Sequence, residues 1–175
     1  MPTLLVDADS LPQRWRAIII RRALKDGLEC RFFADRDLSD VRTAIEEDTR
    51  RLRDPYRDSL GREDLRRIRS RLSMHVVPTG ADSADDHIVE LADADSLVIS
   101  HDIPLLERAI AKGARAMDDR GHEYDEGDIR ARMGQRAVNY AMREMGLFGE
   151  RQRQLDAKTL EAFSNTLDRI LAQKR

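Results

Sequence analysis

A chain of 175 residues is long enough to bury its own core and short enough to form one domain. Its 41% apolar and 37% charged residues require a densely charged surface around clustered apolar positions, and 31 basic against 33 acidic side chains leave a net charge of −2. Bulk charge therefore selects neither for nor against a nucleic-acid partner; only its distribution can. The single cysteine, Cys30, excludes an intramolecular disulfide and sits beside Phe32 and Phe33, the setting of a buried, inert thiol. No apolar stretch approaches the ~20 residues of a membrane span. The segment from Met1 to Asp7 lacks a basic region followed by a long apolar run, so no signal peptide and a cytoplasmic location are expected.

In chain order, short apolar runs predict strands at Thr3–Val6, Glu29–Ala34, Met74–Pro78, Ser96–Ser100 and Arg115–Met117. Helical periodicity lies between them. Leu11, Trp15, Ile18 and Ile19 mark one stripe, Ala84, Ile88, Leu91 and Ala92 a second, and Leu105, Leu106, Ala109 and Ile110 a third. Gly27 and Gly113 stand where helices end before the next strand. The expected fold class is α/β, a three-layer, doubly wound and mainly parallel sheet of about five strands. Residues 36–73 hold eleven arginines and nine acids, with thin stripes at Val41, Ile45 and Leu52, then Leu65, Ile68 and Leu72. They predict an inserted pair of charged helices joined near Asp54-Pro55. Residues 125–175 predict two closing helices, the first along Ile129, Met133, Ala137, Tyr140 and Ala141, the second along Leu160, Phe163, Leu167 and Leu171. No repeat or linker divides the chain, so residues 1–175 are expected to form a single domain.

The chemical signal lies in the residues just after each strand. Asp7 and Asp9 come after the first, Asp35 after the second, His101-Asp102 after the fourth and Asp118-Asp119 after the fifth. The third leads into Asp82, Asp85 and Asp86 at a helix start. In a parallel sheet these ends share one rim, where open α/β folds bind ligands. Two carboxylates ~4 Å apart repel by ~4 kcal/mol at an effective dielectric of ~20, so a converging set needs a counter-charge. Residues 79–102 contain seven acids and no lysine or arginine. Mg²⁺ or Mn²⁺ suits such oxygen ligands. The competing reading is capping: Asp9, Ser10, Asp82, Ser83 or Asp102 each stands where a helix N-cap belongs. Asp7, which ends a hydrophobic strand before any cap position, fits metal binding better. The four histidines show no metal-ligand spacing, although His101 adjoins Asp102.

The segments Val6-Asp7-Ala8-Asp9-Ser10-Leu11-Pro12, Gly80-Ala81-Asp82-Ser83-Ala84-Asp85-Asp86 and Leu97-Val98-Ile99-Ser100-His101-Asp102-Ile103-Pro104-Leu105 together resemble the bacterial YaiI/YqxD family. Lys112-Gly113-Ala114 and Asp118-Asp119-Arg120-Gly121 continue the likeness, which spans about residues 3–145. That family is placed near the PIN-domain proteins, metal-dependent ribonucleases, so the resemblance implies a PIN-like fold. It implicates Asp7, Asp9, Asp82, Asp85, Asp86 and Asp102, with Arg120 nearby. The chain departs from the family pattern where Leu11 replaces cysteine, where Asp118-Asp119 replaces Asn-Pro, where Gly-Gly-Pro is missing before the last helix, and in the charged block at 39–72, which reads as an insertion.

The leading expectation is a metal-dependent nuclease for RNA or single-stranded nucleic acid. Asp7, Asp85 and Asp102 would be catalytic and, with Asp9, Asp82 and Asp86, would supply the metal ligands. Ser10, Arg14, Ser100 and Arg120 would contact substrate, and Arg21, Arg22 and the arginines of the charged block could hold phosphates, although the block's arginines are interleaved with acids and read first as a solvated, ion-paired face. One alternative is a haloacid-dehalogenase-type phosphatase, whose first motif the Asp7-x-Asp9 run resembles, with Asp7 as nucleophile and Asp9 as acid/base. Another is a non-catalytic binding or scaffold domain. The apolar stripes also permit a homodimer, and no membrane partner is expected.

Overall fold

The computed structural model describes residues 1–80, 83–147 and 154–173. In chain order it contains β1 (Thr3–Asp7), α1 (Gln13–Asp26), β2 (Cys30–Ala34), α2 (Ser39–Arg53), α3 (Arg62–Arg67), β3 (Leu72–Val76) and α4 (Ser83–Leu91). Next come β4 (Ser96–Ile99), α5 (Ile103–Ala111), β5 (Arg115–Met117), β6 (Glu123–Tyr124), α6 (Glu126–Glu144) and α7 (Ala157–Ala172). The sheet order is β3-β2-β1-β4-β5-β6, parallel except for β6 against β5. The fold is a three-layer α/β sandwich with six strands. The sixth, two residues long, has no counterpart among the five expected.

Strand periodicity sorts the core into two clusters. Leu4, Val6, Phe32, Leu97 and Ile99 face one side, where they meet Trp15 and Ile19 of α1, Val41 of α2 and Phe163 and Leu167 of α7. Leu5, Phe33 and Val98 face the other, against Ile88 of α4, Leu105 and Leu106 of α5 and Ile129 of α6. Every one of these side chains is essentially removed from water, which at roughly 1.5–3 kcal/mol for each large residue is the main force holding the layers together. Cys30 lies in β2, fully buried, and burial pushes its thiol well above the usual range, as expected of an inert residue. Gly27 and Gly113 end α1 and α5 at φ 64° and 89°.

Three expectations need correction. The third strand begins at Leu72, not Met74. Leu72, which continues the spacing of Leu65 and Ile68, belongs to β3 and not to a helix, so the second helix of the charged block is only six residues long. The first, α2, is the crossover from β2 to β3 and packs on α1. In α6 only Ile129 and Met133 of the expected stripe meet the core. Beyond them the helix runs into solvent, with Tyr140 67% exposed.

The last helix, packed on α1, also docks on the turn at Gly121. Gly121, at φ 80°, approaches α7 so closely that a Cβ there would lie 2.5 Å from the Ala162 carbonyl oxygen. Thr166 Oγ1 donates to the Gly121 carbonyl at 2.6 Å. Gly121→Ala combines a disfavoured backbone conformation with a backbone clash, and should destabilise the fold by about 2–4 kcal/mol, measured as a lowered urea midpoint. Wild-type stability in that variant would mean that α7 does not dock on this turn.

Candidate active site

From β1 the chain proceeds outward to β2 and β3 on one side, while β4, β5 and β6 extend the sheet on the other. The loops after β1 and β4 therefore diverge, leaving a crevice at the C-terminal rim, the place where open α/β sheets take ligands. Val6 pairs with Ile99, so the next residues, Asp7 and Ser100, are neighbours on that rim. Ser100 Oγ donates to Asp7 Oδ2 at 2.6 Å and accepts from the Asp102 amide at 2.8 Å. Ser10 Oγ donates to the Asp7 carbonyl at 2.9 Å and accepts from the His101 amide at 3.0 Å. The two serines thus stitch the diverging loops together.

Asp7 is 7% exposed. Burial raises its carboxyl pKa above the usual range; hydrogen bonds from Ser100 and Ser10 pull it down, and the charges of Asp102 and Asp9 raise it again. Asp102 and Asp9 thus both disfavour the ionised form of Asp7. Asp7 has the strand parity of Leu5, which points it to the face covered by α4 and α5. Asp102 is the N-cap of α5, accepting from the Leu105 amide at 3.5 Å, so the capping reading also holds for it.

Beside this network the rim holds an open cleft of about 610 Å³, whose polar lining includes Asp9, Ser10, Arg36, His101, Asp119 and Arg120. Asp119, 1% exposed, meets His101 Nδ1 through Oδ2 at 2.9 Å, while its Oδ1 has no hydrogen-bond partner among the described residues. The Asp119 hydrogen bond raises the His101 pKa, against desolvation. Trp15 Nε1 donates to the Asp119 carbonyl at 2.7 Å and fixes the turn from below. Asp118 is structural: it accepts from the Arg120 and His122 amides and from the Tyr124 hydroxyl. Arg16, buried on α1, donates to the carbonyls of Ala8 and Leu11 and pairs with Asp40, clamping the loop that carries Asp9 and Ser10. Sequence reasoning singles out neither Arg16 nor the His101–Asp119 pair.

The expected residues fall into separate groups. Asp7, Ser10, Ser100 and Asp102 come together, and Asp9 and Arg120 line the adjoining cleft. Asp9 is engaged, accepting from the Asp35 amide at 2.8 Å and pairing with Arg36 at 3.2 Å. Asp85 and Asp86 stand in the first turn of α4, on the face to which Asp7 points. Asp86 pairs with Arg108 at 2.7 Å. Arg14 is exposed on α1 and is not part of the cleft lining; Arg22 pairs with Asp26 and with Asp168 of α7. Asp82 lies outside the described residues.

Among the described residues no three histidine, cysteine, aspartate or glutamate side chains gather closely enough to hold a metal ion. A closed protein cage is thus not formed by them. Magnesium is commonly held by only one or two carboxylates, with water completing the shell. Asp7 and Asp102, placed either side of Ser100 and mutually repulsive, fit that looser arrangement.

Because the His101 pKa is raised in the folded state, this group adds stability that is fully present below its unfolded value of 6.5 and lost as pH rises through the folded value. His101→Gln should therefore lower the urea midpoint more at about pH 5.5 than at about pH 8.5. An equal loss at both would show that His101 and Asp119 are not coupled.

Comparison with known proteins agrees with this reading of the family. The model described as "Uncharacterized BCR, YaiI/YqxD family" matches residues 62–173. A UPF0178 protein of Ectopseudomonas mendocina is 33% identical over 168 residues, covering 96% of this chain and 95% of the relative. One from Vibrio campbellii is 33% identical over 173 residues, covering 98% and 99% respectively. No solved structure matches. On the strength of the family model and these near full-length relatives, the chain belongs to the YaiI/YqxD family.

Proposed function

We propose that this protein is a metal-dependent phosphodiester hydrolase acting on RNA or single-stranded nucleic acid. The observation that carries the reading is the meeting of Asp7 and Asp102 across Ser100 at the point where the strand order reverses, with the charges of Asp102 and Asp9 both raising the Asp7 pKa. Asp7 and Asp102 would hold Mg²⁺ or Mn²⁺, with Asp85 of α4 facing the same side of the sheet. Bound there, such an ion supplies Lewis acidity toward a phosphate oxygen and lowers the pKa of a water. The resemblance to a family placed near the PIN-domain ribonucleases supports the same chemistry.

The protein's own groups divide the remaining work. Ser100 fixes the Asp7 carboxylate by donating to one oxygen, which orients the other. Asp119 holds the imidazole of His101 at the cleft mouth through Nδ1, leaving Nε2 for a substrate oxygen. Arg36 and Arg120 place guanidinium groups on the cleft wall, where a phosphodiester backbone is positioned. The phosphatase alternative needs Asp9 to act as acid/base beside Asp7. Asp9 is instead held by the Asp35 amide and Arg36, which favours the nuclease reading.

Calorimetry with Mn²⁺ and a cleavage assay on a short single-stranded RNA test the proposal together. Wild-type protein should bind Mn²⁺ and cut the RNA only in its presence. Asp7→Asn and Asp102→Asn should each lose Mn²⁺ affinity and slow cleavage about a hundredfold or more. Cleavage undiminished in both variants, or no Mn²⁺ binding by the wild type, would remove the proposal.

A further inference from the structure

The charged block carries a feature that the rim chemistry does not use. Between residues 50 and 71 stand nine arginines, four acids and no lysine, in a chain whose net charge is −2. Helix α2 starts beside the C-terminal rim, where Asp40 pairs with Arg16, and runs back to the start of β3. Its arginine-rich end, together with α3, therefore lies at the opposite, N-terminal edge of the sheet. The positive charge is displaced from the carboxylates by about the 20 Å length of a 15-residue helix.

This end is built rigidly. Asp48, 6% exposed, accepts from Ser70 Oγ at 2.6 Å and pairs with Arg51 at 2.8 Å. Arg53 donates to the Ile68 carbonyl at 2.9 Å. These bonds tie the two arms of the block together around an open groove of about 570 Å³. Half-buried Ile45 and Leu65 form its apolar part, and Arg50 and Arg57 its cationic wall, with Glu46 and Asp54 also present. Among the described residues Arg50, Arg57, Arg62, Arg66 and Arg71 are exposed and carry no ion pair. Five guanidinium groups without an ion pair on one edge, two of them on the groove wall beside Glu46 and Asp54, favour an anionic partner.

We infer that this groove is a binding site for single-stranded nucleic acid, a second hold on the substrate strand remote from the carboxylate rim. The exclusive use of arginine favours phosphate, which the planar guanidinium grips with paired hydrogen bonds, and favours bases, on which it stacks. A concave wall with an apolar part accepts an unstacked base, which a duplex does not offer. A membrane surface would need a convex face, and the groove recedes. The choice of nucleic acid rests in part on the hydrolase reading of the rim.

The test is fluorescence anisotropy of a labelled single-stranded oligouridylate with the full chain, without divalent metal, over a range of salt concentrations. Arg50→Gln/Arg57→Gln should weaken binding about tenfold or more. It should also flatten the dependence of log affinity on log salt by about 1.4, as loss of two phosphate contacts requires. Both arginines are exposed, so an unchanged urea midpoint is expected and confirms folding. Equal binding by the double variant and the wild type, or no binding by either, overturns the inference. So does arginine-dependent binding to phosphatidylserine vesicles in place of RNA. Cleavage is scored separately: arginine-dependent binding without metal-dependent cutting upholds the groove and removes the hydrolase, whereas cutting with unaltered binding in the double variant does the reverse.

Discussion

The pairing register between β1 and β4 governs the geometry of the candidate site. Val6 opposite Ile99 places Asp7 beside Ser100, and strand parity then turns Asp7 toward α4 and α5. A slip of one residue would send Leu4 and Val6 to the wrong core and turn Asp7 to the other face. The register is held by the two clusters themselves, since Leu4, Val6, Leu97 and Ile99 fill one and Leu5 and Val98 the other. Core packing thus fixes the position of a carboxylate that is itself costly to bury.

That cost is met locally, and only in part. Ser100 and Ser10 each offer Asp7 a hydrogen bond, yet the neighbouring charges of Asp102 and Asp9 work against them. The serines have already committed their oxygens elsewhere, Ser100 to the Asp102 amide and Ser10 to the His101 amide. One short network therefore fixes the ends of both central strands. Arg16 supports it from behind by satisfying the carbonyls of Ala8 and Leu11, with Asp40 as its counter-charge. Rigid placement of this kind is what a site assembled from two loops requires before it orients anything else.

Much of this is legible in the sequence because it depends on local signals. A hydrophobic strand ending in Asp7 and another ending in Ser100-His101-Asp102 are visible as short runs, and Pro104 announces the helix that Asp102 caps. The other features depend on long-range adjacency. His101 meets Asp119 only because β4 and β5 are neighbours, and the one signal in the chain is that both strands end in acids or histidine. The Arg16–Asp40 pair depends on α1 packing beside α2. β6 is too short to leave a periodic trace. Leu72 falls in step with Leu65 and Ile68, so its place in β3 is hidden by a helical spacing that pairing with β2 overrides. Tyr140 and Ala141 continue the spacing of Ile129 and Met133, but the core ends before they reach it.

The near-neutral balance of the chain conceals a separation of charge along the strand direction. Among the described residues, carboxylates collect at the rim where the strands end, and arginines without ion pairs at the edge where they begin. At ordinary ionic strength the screening length is about 8 Å, shorter than the sheet, so charges at one edge act little on a molecule at the other. A polyanion would be attracted by the arginines without ion pairs and repelled by Asp7 and Asp102, a repulsion that the arginines of the cleft wall or a cation would relieve. Neutralising Asp7 and Asp102 would change the rim and leave the arginine edge unaltered. The two ends of the fold are thus electrostatically independent, so a charge substitution at one leaves the other unaltered.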